Sequence, residues 1–182
     1  MAILEKLKSL KIPTVFIYLI LFFIFLLAMC FLRDTVADET HYLRETMLIA
    51  ELFKNGFWIG NYGVGLHGFL FKIPVALTFI ILGKPSVFVA TLFTIILSVS
   101  SVYLFYKILK KYFFNEKFSL LSTVLFSLTL YFISTTISFN RDIPAILMVL
   151  VFFYLFLNKS NKWWIALSLL LMLDAKEHIF LT

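Results

Sequence analysis

Long stretches without charged residues alternate with short polar segments along the chain, a pattern typical of helices that cross a membrane. Because a helix rises 1.5 Å per residue, about 20 apolar residues are needed to cross the hydrocarbon core. The pattern predicts an all-α, polytopic transmembrane helix bundle of about five spans, over residues 13–32, 86–106, 118–139, 143–157 and 163–182. The apolar pattern is unfinished where the chain stops. We therefore expect residues 1–182 to form a single transmembrane domain, the N-terminal portion of a longer protein.

A helix that lies along the membrane surface is predicted after the first span. Its apolar positions recur at helical spacing, at Leu43, Met47, Ala50, Phe53 and Phe57. Its polar positions fall on the other side, at Arg44, Glu45, Glu51 and Asn55. A two-sided helix of this kind favours the membrane interface, and Gly56 is expected to end it. Residues 56–65 follow as a glycine-rich loop, which lacks the strand-then-helix setting of a phosphate-binding loop.

Residues 66–83 are apolar, but Lys72 and Pro74 interrupt them and leave a run that is too short to cross. Lysines concentrate on the cytoplasmic side of membrane proteins. Nine lysines flank the predicted spans, at Lys6, Lys8, Lys11, Lys107, Lys110, Lys111, Lys117, Lys159 and Lys162. All nine share one side only if residues 66–83 do not cross. The sequence therefore predicts a cytoplasmic N-terminus, with residues 66–83 as a re-entrant or surface segment on the outer side.

Composition supports a membrane protein. The mean hydropathy is +1.01 and charged residues make up only 14% of the chain, against about 25% in soluble domains. The net charge of +6 does not indicate nucleic-acid binding, because the basic residues flank apolar runs instead of forming a stripe with interleaved aromatics. Cys30 is the single cysteine, so no internal disulfide forms. The first apolar run is too long for a signal peptide and is interpreted as a retained anchor.

Acidic residues mark the candidate chemistry. Asp38 and Glu39 follow the first span, and Asp142 follows the third. Lys176 and Glu177 lie at the far end of the fifth span. On the predicted topology all three sites fall at the outer face. Charges beside a bilayer are costly unless they are solvated, paired or have a function. We expect these sites to meet there.

Each candidate also has a purely structural interpretation. Asp38 and Asp142 are both suited to capping the helices that follow them. Lys176 and Glu177 form a neutralising pair in that interpretation, and His67 simply packs or hydrogen-bonds. Lys72 would extend its ammonium group to a lipid headgroup.

The functional interpretation uses the same residues. A carboxylate at the outer surface can act as a general base and deprotonate an acceptor hydroxyl. Two acidic sites can share a hard divalent cation through their oxygen atoms. Such a cation, or the side chains of Lys72, Arg141 and Lys176, can neutralise the leaving phosphate of a lipid-linked donor. The sequence shows no zinc pattern, no Ser-His-Asp spacing and no dinucleotide motif.

These motifs, in this order, resemble the N-terminal part of the GT-C glycosyltransferases. The similarity is to the dolichyl-phosphate-mannose protein mannosyltransferase-like branch, which includes the aminoarabinose transferases. The Asp38-Glu39 pair is followed by Tyr42, and Leu66-His67-Gly68-Phe69 leads to an apolar segment that ends in Ile81-Leu82-Gly83. The later matches are the basic end Tyr106-Lys107-Ile108-Leu109-Lys110-Lys111, then Asp142, then Lys176-Glu177. Gly68 departs from the family pattern, which has proline at that position.

The resemblance implies roles for these residues. Asp38 would be the catalytic base or a metal contact, and Glu39, beside it in the catalytic site, would help position the acceptor or donor. Asp142 would be the second acidic group, so Asp38 and Asp142 are the candidate ligands for a divalent metal. The candidate substrate-binding residues are His67, Lys72, Arg141, Lys176 and Glu177. The expected partners are a polyprenyl-phosphate sugar donor, a protein, glycan or lipid acceptor, and membrane lipid.

We therefore expect an integral membrane glycosyltransferase that moves a sugar, a hexose such as mannose or a related one, to an acceptor hydroxyl at the outer, extracytoplasmic or lumenal, face. Two alternatives remain open. In a transporter or channel module, Asp174, Lys176 and Glu177 would lie on a substrate path. In a non-catalytic assembly subunit, the acidic residues would serve only as helix caps.

Overall fold

The computed structural model describes residues 13–33, 37–55 and 68–175, and all regular secondary structure within these ranges is α-helical. This confirms the all-α prediction for the described residues. The predicted glycine-rich loop at 56–65 lies outside them. The helices are α1 (Thr14–Phe31), α2 (Ala37–Asn55), α3 (Phe69–Leu82), α4 (Val87–Tyr112), α5 (Glu116–Ser127), α6 (Leu130–Thr136), α7 (Asp142–Leu157) and α8 (Lys162–Ala175).

Helices α1 and α4 pack against each other in opposite directions. The Phe31 ring lies 5.6 Å from the Phe88 ring at one end, and the Phe16 ring lies 5.7 Å from the Tyr103 ring at the other. Their facing sides contribute to the largest apolar core, which includes Leu19, Phe22, Leu26, Ile95, Val102, Phe132 and Ile143. The outward side of α1 leaves large apolar residues exposed, as a lipid-facing surface requires.

Length and hydropathy identify α1 and α4 as helices able to cross a membrane, or three spans if α5 and α6 together form one. Helices α3 and α7 have 14 and 16 residues, which rise about 21 and 24 Å against a core of about 30 Å. The described part of α8 also has 14 residues. The integral membrane character is supported, and the total of five spans stays a prediction.

The span predicted at 118–139 is not continuous. Helices α5 and α6 bend by 64° relative to each other. The break lies at Thr129, which is extended (ψ 138°) and whose hydroxyl donates to the Phe126 carbonyl and accepts the Phe132 amide. The hydroxyl thus bonds one backbone group of each helix, and such side-chain bonds compete with the backbone bonds of a continuous helix. Helix α6 then ends at Thr136, whose hydroxyl lies 2.8 Å from the Ser98 hydroxyl of α4.

Helix α2 forms where an amphipathic helix was predicted, but the face it buries is different. Thr46, Ile49 and Glu45 are buried, at 0%, 4% and 5% exposure. Met47, which was placed on the apolar face, is exposed. The predicted assignment of Glu45 to the solvent side is therefore wrong. The cause is the Lys72 charge in the first turn of α3, with which Glu45 pairs.

Helix α3 runs without interruption through Lys72 and Pro74. It ends at Gly83, which adopts a left-handed conformation (φ +68°), a common glycine stop. Its apolar side joins a second core made of Val75, Phe79, Ala90 and Phe139, with Tyr42, Leu43 and Ala50 of α2 packed on it. Helices α2 and α3 thus lie together against the start of α4, near the segment that links α6 to α7.

Candidate functional site

Four segments that are distant in sequence meet at one end of the bundle. They are the first turns of α2 and α3, the α6–α7 link at 137–141, and the last turn of α8. The Gly68 amide donates to the Asp174 carbonyl at 2.7 Å, and the Leu70 amide donates to the Asp174 carboxylate at 3.1 Å. The Phe139 amide donates to Glu39 at 3.0 Å. We call this meeting point the junction.

Glu39 is the most heavily bonded residue of the junction. It is completely buried, and both of its oxygens accept hydrogen bonds from Arg33, at 2.5 and 2.9 Å. The Oε1 atom also accepts from the Thr91 hydroxyl at 3.3 Å and from the Phe139 amide. A charge-assisted, two-pronged pair of this kind is both strong and directional. Glu39 therefore ties together the end of α1, the first turn of α2, helix α4 and the α6–α7 link.

The charge of Glu39 is maintained by its partners. Burial alone would raise the pKa of this carboxyl group, because it penalises the charged form. The hydrogen bonds from Arg33 and Phe139, together with the Arg33 charge, outweigh burial and hold the pKa below its usual range. The carboxylate is thus ionised and engaged by protein groups. These contacts favour a role in positioning the junction rather than direct contact with substrate.

Lys72 and Glu45 form a second buried ion pair beside the junction. The Lys72 ammonium donates to Glu45 Oε2 and lies 5.1 Å from the centre of the Tyr42 ring. The His41 imidazole lies 3.3 Å from the other Glu45 oxygen. Lys72 is only 4% exposed, so the predicted extension toward a lipid headgroup is wrong. Burial lowers the pKa of Lys72, and the Glu45 hydrogen bond and charge offset part of that effect.

A narrow pocket lies between these groups, with a cavity volume of only about 20 Å³. Tyr42, Lys72 and Arg141 contribute to its wall, together with the aromatic rings of Phe71, Phe93 and Phe139. It combines an apolar lining with two cationic side chains, whose charges would favour an anionic group at this position. The pocket therefore gives Lys72 and Arg141, both predicted to bind substrate, a shared location.

Asp142 lies at the start of α7 but does not cap it. Arg141 occupies the cap position without a side-chain cap bond, and the Asn140 side chain accepts the Asp142 amide at 3.0 Å. The predicted cap role of Asp142 is therefore wrong, because the residue is already helical. Its carboxylate accepts a hydrogen bond of 2.9 Å from the Tyr131 hydroxyl. The Asp142 carboxylate is thus held at the edge of the α6–α7 link.

Several predicted site residues fall where the structure gives no side-chain description. His67, Lys176 and Glu177 lie outside the described ranges. Asp38 lies in the first turn of α2, one residue inside the start of the helix at Ala37, so it does not occupy the predicted cap position. Its side chain is not described. The described side chains contain no group of three or more His, Cys, Asp or Glu residues suited to a metal ion. The described side chains alone therefore do not form such a three-ligand site.

Three junction residues were missed by the sequence prediction: Arg33, Glu45 and Thr91. A signal existed for Glu45, because Lys72 interrupts an apolar run and a buried lysine needs an acidic partner. No comparable signal marked Thr91, which is an ordinary small polar residue in a span. Asp174 was predicted only as part of a transport path. Its bonds to the α3 backbone instead make it a connector between α8 and α3.

The comparisons with known proteins give one family finding. The sequence model of a family described as dolichyl-phosphate-mannose-protein mannosyltransferase matches residues 67–179. The matched segment covers more than half of the chain and contains Lys72, Arg141 and Asp142, whereas Asp38 and Glu39 precede it. No curated protein and no solved structure matches the chain.

Proposed function

Because the chain belongs to the dolichyl-phosphate-mannose-protein mannosyltransferase family, a family of membrane glycosyltransferases, we propose that it transfers a sugar from a polyprenyl-phosphate donor to an acceptor hydroxyl. The reaction would occur at the outer face of the membrane. The acceptor is a protein, a glycan or a lipid. The observation that carries the proposal is the junction, where the segments holding the candidate acidic and basic residues meet at one pocket.

The proposed base is Asp38. It precedes Glu39, whose contacts with Arg33 and Phe139 fix the first turn of α2 beside the α6–α7 link. A base must be held in place to take a proton from a hydroxyl in the transition state. In this proposal Asp38 accepts the proton of the acceptor hydroxyl, and the acceptor oxygen attacks the anomeric carbon as the bond to the donor phosphate breaks. Glu39 positions this turn.

The proposed site for the donor phosphate is the cationic part of the pocket. Arg141 and Lys72 belong to its wall, and fixed cations stabilise the negative charge that grows on a departing phosphate. The Lys72 charge is already shared with Glu45, so Arg141 is assigned the larger part. The lipid tail would stay in the membrane while the sugar reaches the junction. His67, Lys176 and Glu177 keep their proposed role in substrate binding.

The test is sugar transfer in membranes that contain the longest available form of the protein, supplied with labelled polyprenyl-phosphate sugars. Asp38→Asn is compared with Glu51→Gln, which removes one charge from an exposed position of the same helix. We expect Asp38→Asn to lose at least about a hundredfold in transfer, the usual scale for a general base. Glu51→Gln should retain activity. Equal activity of the two variants, or no transfer by inserted wild-type protein from any donor, would contradict the proposal.

A divalent cation shared by Asp38 and Asp142 is a separate proposal, and no step above depends on it. Its test is transfer before and after chelation, followed by addition of Mg²⁺ or Mn²⁺. Activity that survives chelation unchanged would show that the two carboxylates act without a metal ion.

A further inference from the structure

An apolar groove runs along the outer surface of the bundle between α1 and α4. Its volume is about 380 Å³. Its walls include Phe16, Ile20 and Phe23 of α1 and Val99, Ser100 and Tyr103 of α4. The Ser100 hydroxyl donates to the Ile96 carbonyl at 2.8 Å, so the serine presents no unsatisfied polar group to the groove. The groove is therefore suited to a hydrocarbon chain.

The groove has a charged end and an apolar end. Because α1 and α4 are antiparallel, Phe16 and Tyr103 lie together at one end, and Phe23 lies about 10 Å deeper along the helix axis. The Lys107 ammonium lies 5.4 Å from the centre of the Tyr103 ring and 5.6 Å from that of Tyr154. Two aromatic faces thus hold this cation at the mouth of the groove. This end is opposite to the junction at Glu39.

The surroundings of Lys107 are strongly basic. The end of α4 also carries Lys110 and Lys111, the turn between α7 and α8 carries Lys159, and Lys162 begins α8, all of them exposed. Lys111 and Tyr112 both donate to the Asn158 side chain, which brings that turn against the end of α4. Among the described residues at this end the acidic side chain is Glu116, and it is paired with Lys110 at 3.0 Å.

We propose that the groove binds an anionic phospholipid of the membrane. One acyl chain lies along α1 and α4, and the phosphate lies at Lys107. The groove fits the shape of an acyl chain but adds little to lipid selectivity, because the chain is already surrounded by hydrocarbon in the bilayer. The preference for an anionic headgroup comes from the Lys107 ammonium group held at the mouth of the groove, because an anionic lipid headgroup attracts a lysine. The inference is independent of the sugar-transfer reaction, because it uses the opposite end of the molecule.

The experiment measures phospholipid retained by the purified full chain, by native mass spectrometry, after exchange into equal mixtures of phosphatidylglycerol and phosphatidylcholine. Two variants test the site: Lys107→Gln at the headgroup and Ser100→Phe in the groove. Two matched controls are Lys111→Gln, at the same basic end, and Ile96→Phe, on an exposed part of α4 outside the groove wall. Monodisperse behaviour of each variant establishes that it is folded.

We expect wild type to retain phosphatidylglycerol in excess over phosphatidylcholine. Lys107→Gln should reduce that excess about fivefold, the factor expected for one lysine at an anionic surface. Ser100→Phe should reduce retention of both lipids, while the two controls stay close to wild type. Equal loss in Lys107→Gln and Lys111→Gln would overturn the site in favour of diffuse charge. Displacement of the lipid by polyprenyl phosphate at a much lower concentration would overturn the assignment of the occupant.

Discussion

The Glu39 carboxylate accepts a hydrogen bond from the backbone amide of Phe139, one hundred residues further along the chain, at 3.0 Å. The same oxygen also accepts a hydrogen bond from Arg33, which lies two residues beyond the end of α1. Through this one side chain the segment after α1 is joined to the segment before α7. Glu39 therefore sets the spatial distance between the first turn of α2, which holds Asp38, and the start of α7, which holds Asp142. It can do so without touching substrate.

Replacing Glu39 tests this joining role. Glu39→Gln keeps the shape but removes the charge, which leaves the Arg33 guanidinium only 12% exposed and without its buried carboxylate partner. Loss of one partner of a buried pair costs about 3 kcal/mol, so we expect a clear fall in the thermal midpoint in detergent. The double variant Arg33→Met with Glu39→Gln should recover part of the loss. A double variant less stable by the sum of both single changes would contradict the pairing.

The Lys72–Glu45 pair predicts an asymmetry between its two partners. Glu45→Gln leaves a buried ammonium group without its carboxylate, whereas Lys72→Met leaves a carboxylate that still faces His41. We expect Glu45→Gln to be the more destabilising change by about 1 to 2 kcal/mol. Thermal unfolding of the two variants in the same detergent measures the difference. Equal midpoints would contradict the expected asymmetry between the two partners.

Gly68 predicts a backbone effect at the junction. Its φ of +70° is left-handed, which costs other residues about 1 to 2 kcal/mol. Gly83 is the matched control, because it has φ +68° and open space around it. Both Gly68→Ala and Gly83→Ala should lower stability by similar amounts. Only Gly68→Ala should also lower sugar transfer. Its methyl group would lie 3.8 Å from the Arg141 side chain at the pocket, and relaxation of the strained φ would shift the amide that donates to Asp174. Equal transfer rates in the two variants would remove Gly68 from the site.

Asp142 and Tyr131 predict a graded loss of activity. This prediction rests on the cation proposed between Asp38 and Asp142: Asp142→Asn removes one of its two carboxylate ligands, and we expect at least about a hundredfold loss of transfer. Tyr131→Phe removes only the hydrogen bond of 2.9 Å to that carboxylate. The loss should then be about tenfold, the kinetic equivalent of ~1.4 kcal/mol. If Tyr131→Phe is as severe as Asp142→Asn, the hydroxyl group itself takes part in the reaction.

Sequence alone was a good guide to what depends on local pattern. The apolar runs at 13–32 and 86–106 become α1 and α4, because a long uncharged segment must satisfy its own backbone as a helix. The helix after the first span follows from short-range periodicity, and the end of α3 at Gly83 matches the segment end that the family resemblance implied. The ordered set of acidic, basic and glycine positions was enough to indicate the glycosyltransferase family, which the match over residues 67–179 supports.

Only the tertiary structure decided which charges are used by the protein itself. Glu45 is polar in any periodic pattern, and its burial follows from a lysine 27 residues away on another helix. Glu39 has the sequence context of a catalytic residue, yet its partners lie 6, 52 and 100 residues away. The bend at Thr129 likewise interrupts an apolar run that shows no charge. Periodicity reports the average environment of a helix face, whereas the partner of a buried charge is set by how the helices pack.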